Sequence, residues 1–221
     1  MARLPRLVIP GHAHLVCQRG HNGGAVFIDA IDRSNYHAAL HEAAATESVQ
    51  LHAVALLDRE VLLLVTPTQE SSLSRFMQSV GRRYVSAYNR RHQHTGTLWD
   101  GRFRCGVVEP GPMRLDALRL VDGRSAEPGV TSAAHRTGEV RDASLTDPPE
   151  YWQLGNTPFE RESAWRSMLA TDLPAARADA LLRAATGGWA AGSAAFAARV
   201  ASKSGRPARP RPRGRPARAT F

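Results

Sequence analysis

From Leu51 to Pro67 the chain reads LHAVALLDREVLLLVTP, two apolar runs around Asp58-Arg59. That pattern predicts a β-hairpin with Asp58 in its turn. On the second strand Glu60, Leu62 and Leu64 share one face, and Val61, Leu63 and Val65 share the other. Both faces are almost wholly apolar, so the strand is expected to be central and covered on both sides. Glu60 interrupts the pattern and is expected at the wet mouth of the strand, beside the turn.

The flanking patterns supply the rest of a domain. Residues 12–18 read as a strand, followed by a polar, Gly-rich loop at 19–24. Asp32 opens a predicted helix over 32–46, with Tyr36, Leu40 and Ala44 at helical spacing. After the hairpin a longer helix is predicted over 70–91. Its apolar residues Leu73, Phe76, Met77, Val80, Tyr84 and Tyr88 recur at three and four, and Arg75, Arg82, Arg83, Arg90 and Arg91 occupy its other side. A strand near 102–109 and a helix near 113–121 complete the order β-α-β-β-α-β. That order predicts an α+β fold, a ferredoxin-like split βαβ sandwich. Residues 1–135 are assigned to it, 136–155 to a linker, 156–201 to a small helical appendix, and 202–221 to a disordered basic Arg/Pro tail. Appendix helices are expected near 158–170, 174–185 and 190–201.

Charge changes the picture at one end only. The 221 residues carry 29 basic and 20 acidic side chains, a net charge of +9. No acidic residue follows Asp179, whereas nine basic ones do, from Arg183 to Arg218, so residues 1–179 balance at 20 against 20. The basicity is a property of the tail. All but Lys203 of the basic residues are arginine, the side chain suited to bidentate phosphate contacts. No apolar run reaches spanning length, and the first residues lack a secretory leader pattern, so a cytoplasmic location is expected.

Candidate chemistry is thin. Cys17 and Cys105 lack metal spacing and are expected as buried reduced thiols, close together on neighbouring strands. His12 and His14 share one strand face without an acidic or thiol partner in sequence, which favours a wet strand end over a metal site. His92 and His94 lie in a polar turn with no acidic neighbour in sequence. Tyr84 and Tyr88 fall on the apolar face of the long helix, where core packing is expected. No Ser/His/Asp set, phosphate-cradling glycine loop or cysteine pair is present.

The hairpin residues His52, Ala53, Leu56, Leu63, Leu64, Thr66 and Pro67 match, without a gap, the core hairpin of the bacterial single-strand tyrosine transposases, the insertion-sequence and REP-associated group of the HUH superfamily. Further matches are Pro10-Gly11, Arg19-Gly20, Phe27, Asp29 and Asp32, then Leu73-Ser74-Arg75, Met77-Gln78 and Asn89-Arg90-Arg91-His92, and Leu98-Trp99 with Gly101-Arg102-Phe103. Pro149-Glu150-Tyr151 and Leu154-Gly155 extend them toward the C-terminus. The chain resembles a degenerate member of that family. The resemblance implies DNA transposition chemistry: a tyrosine attacks a phosphate of single-stranded DNA, and two histidines and an amide hold Mg²⁺ or Mn²⁺. The two histidine positions fall on Glu60 and Leu62, the tyrosine on Leu120 and the amide on Arg124. All four are replaced, which implies a protein without a catalytic residue, metal or cofactor. Glu60 and Arg124 inherit proximity and are expected to face each other.

Binding is better supported. Arg19, Arg82, Arg83, Arg90, Arg91, Arg102 and Arg104, with Trp99, Tyr88 and Phe103 among them, suit a backbone-tracking groove with base stacking. The hairpin strands carry no aromatic residue, which argues against an RNA-type stacking platform on the sheet. Pro212-Arg213-Gly214-Arg215-Pro216 spells a minor-groove hook in which Arg213 and Arg215 would read A·T-rich duplex. The expected partner is therefore DNA, as a single-stranded hairpin and an A·T-rich duplex, with no membrane. An active transposase with relocated residues and a domesticated protein with a non-DNA partner stand as alternatives.

Overall fold

The computed structural model describes residues 5–210. Its centre is a five-stranded sheet built from β1 (His14–Arg19), β2 (Val49–Leu57), β3 (Glu60–Pro67), β4 (Arg104–Val108) and the short β5 (Ala190–Ala191), in the order β2-β3-β1-β4-β5. β1 runs antiparallel to β3 and β4, β2 is antiparallel to β3, and β5 adds a parallel edge to β4. The first four strands have the split βαβ order expected from the hairpin and helix patterns. β3 lies between β2 and β1, with Val61 to Val65 fully buried.

Helices cover both faces. α1 (Ala30–Glu47) and α2 (Ser72–His92) cover one, where Tyr36, Leu40, Phe76, Val80 and Tyr84 meet Val16, Leu63 and Val65. The helix α1 starts two residues earlier than its periodicity suggests. Asp29, not Asp32, is its N-cap and accepts hydrogen bonds from the Ile31 and Asp32 N–H groups. Asp32 is instead buried and accepts from the Ile28 N–H at 2.9 Å.

On the opposite face lie α3 (Pro112–Asp122), the single turns α4 (Ala133–Arg136) and α5 (Pro149–Trp152), α6 (Pro158–Leu169) and α7 (Ala175–Gly187). Their Leu118, Leu120, Tyr151, Trp165 and Leu181 join Leu15, Cys17, Leu62 and Leu64 in one apolar cluster. The stretch read as a linker is thus part of the fold, and the helices read as an appendix form the cover of the second sheet face. α7 approaches β4 so closely that a Cβ on Gly106 would stand 2.7 Å from the Ala184 carbonyl carbon. Thr157 and Glu160 cap α6 reciprocally, as its sequence indicates.

Two further corrections concern the ends. Residues 190–191 are β5, so α8 runs over Ala194–Ser204. The stretch 202–210 is not free tail: Ala208 is buried, its carbonyl accepts from the Ala190 N–H at 2.8 Å, and Phe196 and Val200 pack beside it. Arg213 and Arg215 lie outside the described residues. No helix among the described residues is long and apolar enough to cross a membrane.

A buried polar network ties the second face together. Asp122, the last residue of α3, accepts from Arg136 Nη1 at 2.9 Å, Trp165 Nε1 at 3.1 Å and Ser132 Oγ at 2.5 Å. Arg136, fully buried, also donates to the His52 carbonyl, and its own carbonyl accepts from Tyr151 Oη at 3.0 Å. Its Nε lies 3.0 Å from Asp147 Oδ1, near enough for charge attraction but not aligned as a hydrogen bond. Removing one partner of such a pair strands the other charge in a low-dielectric interior. Arg136→Met is therefore expected to lower the unfolding free energy by about 3–5 kcal/mol in urea denaturation.

Two histidines are buried in the neutral form. His14 donates from Nδ1 to the His12 carbonyl at 2.8 Å and accepts the Ile9 N–H at Nε2, 3.1 Å away, so it is not the wet strand end expected. His52 joins the Thr146 carbonyl to Thr66 Oγ1. Burial pulls both down from 6.5 to about 4. Between these values the unfolded chain binds more protons than the folded one, so stability falls as pH drops from about 6.5 toward 4. Each histidine contributes up to about 3 kcal/mol to that loss. Urea titrations at pH 7, 5.5 and 4.5 are expected to show it, and His14→Gln is expected to flatten the dependence.

Candidate functional site

Glu60 opens β3 beside the Asp58-Arg59 turn, and Leu62 follows it on the face beneath α3. α3 brings Leu120 into the same apolar cluster as Leu62, both buried. Two residues past the helix end, Arg124 Nη2 donates to Glu60 Oε1 at 2.6 Å. Arg19, the register partner of Glu60 on β1, donates from Nε to Oε2 at 3.2 Å. One carboxylate thus lies between two guanidiniums, with a leucine pair sealing the space beneath. The expected approach of Glu60 and Arg124 is present.

This donor set does not fit a divalent metal. Two leucines offer no lone pair, and the single carboxylate already serves two cations. Among the described residues no group of three or more His, Cys, Asp or Glu side chains could hold a metal ion. The four tyrosines are also poor nucleophiles: Tyr36, Tyr84, Tyr88 and Tyr151 are all buried. Burial pushes the phenols of Tyr36 and Tyr84 far above their ordinary value. Tyr84 spends its proton on the Val26 carbonyl.

The candidate binding residues separate into two groups. On α2, Arg82 and Arg90 are exposed, but Arg83 pairs with Glu42 at 2.7 Å and Arg91 with Asp29 and Asp32 at 2.5 and 2.6 Å. His92 also bonds Asp32, at 2.9 Å, so the acidic partner absent from its own turn comes from α1. Burial opposes ionisation of Asp32, yet bonds from His92, the Ile28 N–H and Arg91 hold its carboxyl below the usual range. The expected stacking aromatics are not on a groove. Trp99, Tyr88 and Phe103 are 7%, 6% and 8% exposed and belong to the core under α1 and α2.

The second group surrounds the start of β4. Arg19, Arg102 and Arg104 line a cavity with Arg183 of α7, a residue the sequence reading did not single out. Its only available signal was the i,i+4 pairing with Asp179, an arrangement common on any solvated helix.

The two thiols are free and buried but do not meet. Cys105 pairs with Val16, and Cys17 with Arg104, so the sulfurs face opposite sides of the sheet. Burial pushes the Cys105 thiol up to about 12, far from reactive.

Glu60 and Arg124 are both partly solvated, so their pairing is weak. A double-mutant cycle with Glu60→Gln and Arg124→Gln is expected to give a coupling of about 0.2–1 kcal/mol in chemical denaturation, decreasing with salt.

No family model matches the chain, and no curated protein does. Among solved structures, the chain is similar to a REP-associated tyrosine transposase bound to a REP hairpin, at 11% identity and a TM-score of 0.47, over 64% of this chain and 77% of that one. It is also similar to a proposed transposase from Deinococcus radiodurans, at 17% identity and a TM-score of 0.39, over 57% of this chain and all of that one. Neither TM-score reaches 0.5, and no residue role is transferred from either structure.

Proposed function

We propose that this chain is a DNA-binding relative of the single-strand tyrosine transposases that holds a DNA strand without cutting it. One observation carries the reading. The four positions assigned by resemblance to the metal pair, the amide and the nucleophile are distant in sequence, yet they converge in space: Glu60 bonds Arg124, and Leu62 packs in the cluster that holds Leu120. Unrelated positions have no reason to meet there, so the convergence supports the register of the resemblance.

Each substitution then removes one chemical requirement. Phosphodiester cleavage through a phosphotyrosine needs a phenol in line with phosphorus and a cation on the non-bridging oxygens. Leu120 has no nucleophilic atom, and Leu62 has no ligand atom. Arg124 brings a positive charge to the position where the family has a neutral amide, which can attract phosphate but supplies no Lewis-acid activation. The exposed arginines at the start of β4 supply further phosphate contacts. The tail motif around Arg213 and Arg215 is proposed to add affinity for A·T-rich duplex.

A single-stranded hairpin oligonucleotide with a trapping nick tests both halves, incubated with the full chain and Mg²⁺ or Mn²⁺. The expected outcome is a gel shift that weakens steeply with salt and no covalent adduct on a denaturing gel. An adduct mapped to any of the four tyrosines would establish the active-transposase alternative. Loss of the shift at every salt concentration would favour a non-DNA partner.

A further inference from the structure

Between β4 and α7 lies a cavity of about 410 Å³ whose wall carries Arg19, Arg102, Arg104 and Arg183. Only two carboxylates line it, Asp100 and Asp179, so the wall holds two more positive charges than negative. Three of the four arginines and both carboxylates belong to residues 1–179, which have no net charge as a sum.

The guanidiniums are largely unspent. Among the described residues Arg102 has no ion-pair or hydrogen-bond partner. Arg104 gives one bond, from Nη1 to the Thr186 carbonyl at 3.0 Å. Arg183 lies 3.6 Å from Asp179, and both are exposed, so that attraction is screened. Arg19 shares Glu60 with Arg124. Four like charges around one concave wall repel each other, and a concave wall focuses their field. An anion with several oxygens, able to accept from two or more planar guanidinium forks, relieves that repulsion.

The surroundings favour one phosphate of a chain over an isolated anion. On one side, Arg19 connects the cavity through Glu60 to Arg124. On the other, a cavity of about 260 Å³ shares Arg102, Arg104 and Thr186 and adds Arg6 and Arg206. Arg6 and Arg206 already donate to backbone carbonyls, so Arg102 and Arg104, shared by both cavities, are the link between them. A single small anion would fill one cavity only, whereas a nucleic acid backbone can continue from one into the other. Resting on the proposed function, we infer that the arginine-lined cavity seats a backbone phosphate of a bound single DNA strand, with Arg102 and Arg183 as its main donors.

The full chain is titrated with a fluorescent single-stranded oligonucleotide at several salt concentrations. The variants are Arg102→Ala/Arg183→Ala and, as a comparison on α2, Arg82→Ala/Arg90→Ala. All four residues are exposed, and circular dichroism confirms that the variants fold. The cavity pair is expected to weaken binding by roughly tenfold and to lower the salt slope by about 0.7, the increment for one lost phosphate contact on a single strand. The α2 pair is expected to change neither as much, and Asp179→Asn is expected to tighten binding. Unchanged affinity and slope in the cavity pair would overturn the site while leaving DNA binding intact. If the unaltered protein binds no DNA, the proposed function fails and pyrophosphate decides the cavity. Perturbation of arginine side-chain NMR signals by pyrophosphate, lost in the cavity pair, sustains an anion site; no perturbation overturns it.

Discussion

The buried ion pair between Asp122 and Arg136 fixes more of this structure than any other contact. Neither residue has its side chain in water, so each depends on the other and on neutral donors and acceptors around it. Arg136 reaches the His52 carbonyl on β2, and Asp122 reaches Trp165 on α6. Because Asp122 ends α3, the network sets both the height and the rotation of that helix against the sheet. Leu120 is two residues before Asp122 and Arg124 two after, so the position of the whole Glu60 site follows from this pair. The cost of burying two charges therefore has a geometric return: it defines one place for the end of α3 where apolar packing alone would tolerate sliding.

Charge is distributed by the same logic of local pairing. On the α1–α2 side, Arg75, Arg83 and Arg91 each have a carboxylate within 2.7 Å. These pairs fasten the two helices to each other and neutralise part of what looks in sequence like a basic helix face, while Arg82 and Arg90 stay exposed. On the β4–α7 side, guanidiniums outnumber carboxylates. The two sides thus differ in character: most arginines of the α1–α2 side are paired within it, whereas the β4–α7 side holds more guanidiniums than carboxylates.

How much of this was legible depends on the range of the interaction that decides it. The strand order follows from local patterns, because alternation in β3 and three-four spacing in α2 each report a buried face directly. Depth does not: Trp99 and Phe103 between arginines read as a groove, yet each is core, since α1 and α2 close over them. The stretch 136–155 is polar and carries two prolines, so it reads as a linker. Its anchors, Arg136, Glu150 and Tyr151, are buried by partners far away in sequence, Glu150 for instance by both nitrogens of the Arg114 fork. The cysteine prediction erred by a single residue of register, and one residue is enough to send a side chain to the opposite face. Glu60 and Arg124 were paired correctly only because a family pattern supplied the spatial link that a separation of 64 positions conceals.

The residues at the site also make physical sense as a set. A histidine at position 62 without a metal would sit under α3 among Leu15, Leu64 and Leu120 with no partner for its second nitrogen. Leucine there instead adds the stabilisation of a buried aliphatic side chain, about 1.5–3 kcal/mol. Once position 62 is apolar, a phenol at position 120 loses the polar company its hydroxyl needs, and leucine again packs better. Glu60, at the open end of the same face, is left with a charge, and Arg19 and Arg124 are both in reach to balance it. The inner pocket thus holds apolar side chains, while Arg19 and Arg124 stand at its open end, where a charge needs only a counter-charge. That asymmetry sets apolar packing in the inner pocket directly beside an arginine-lined surface.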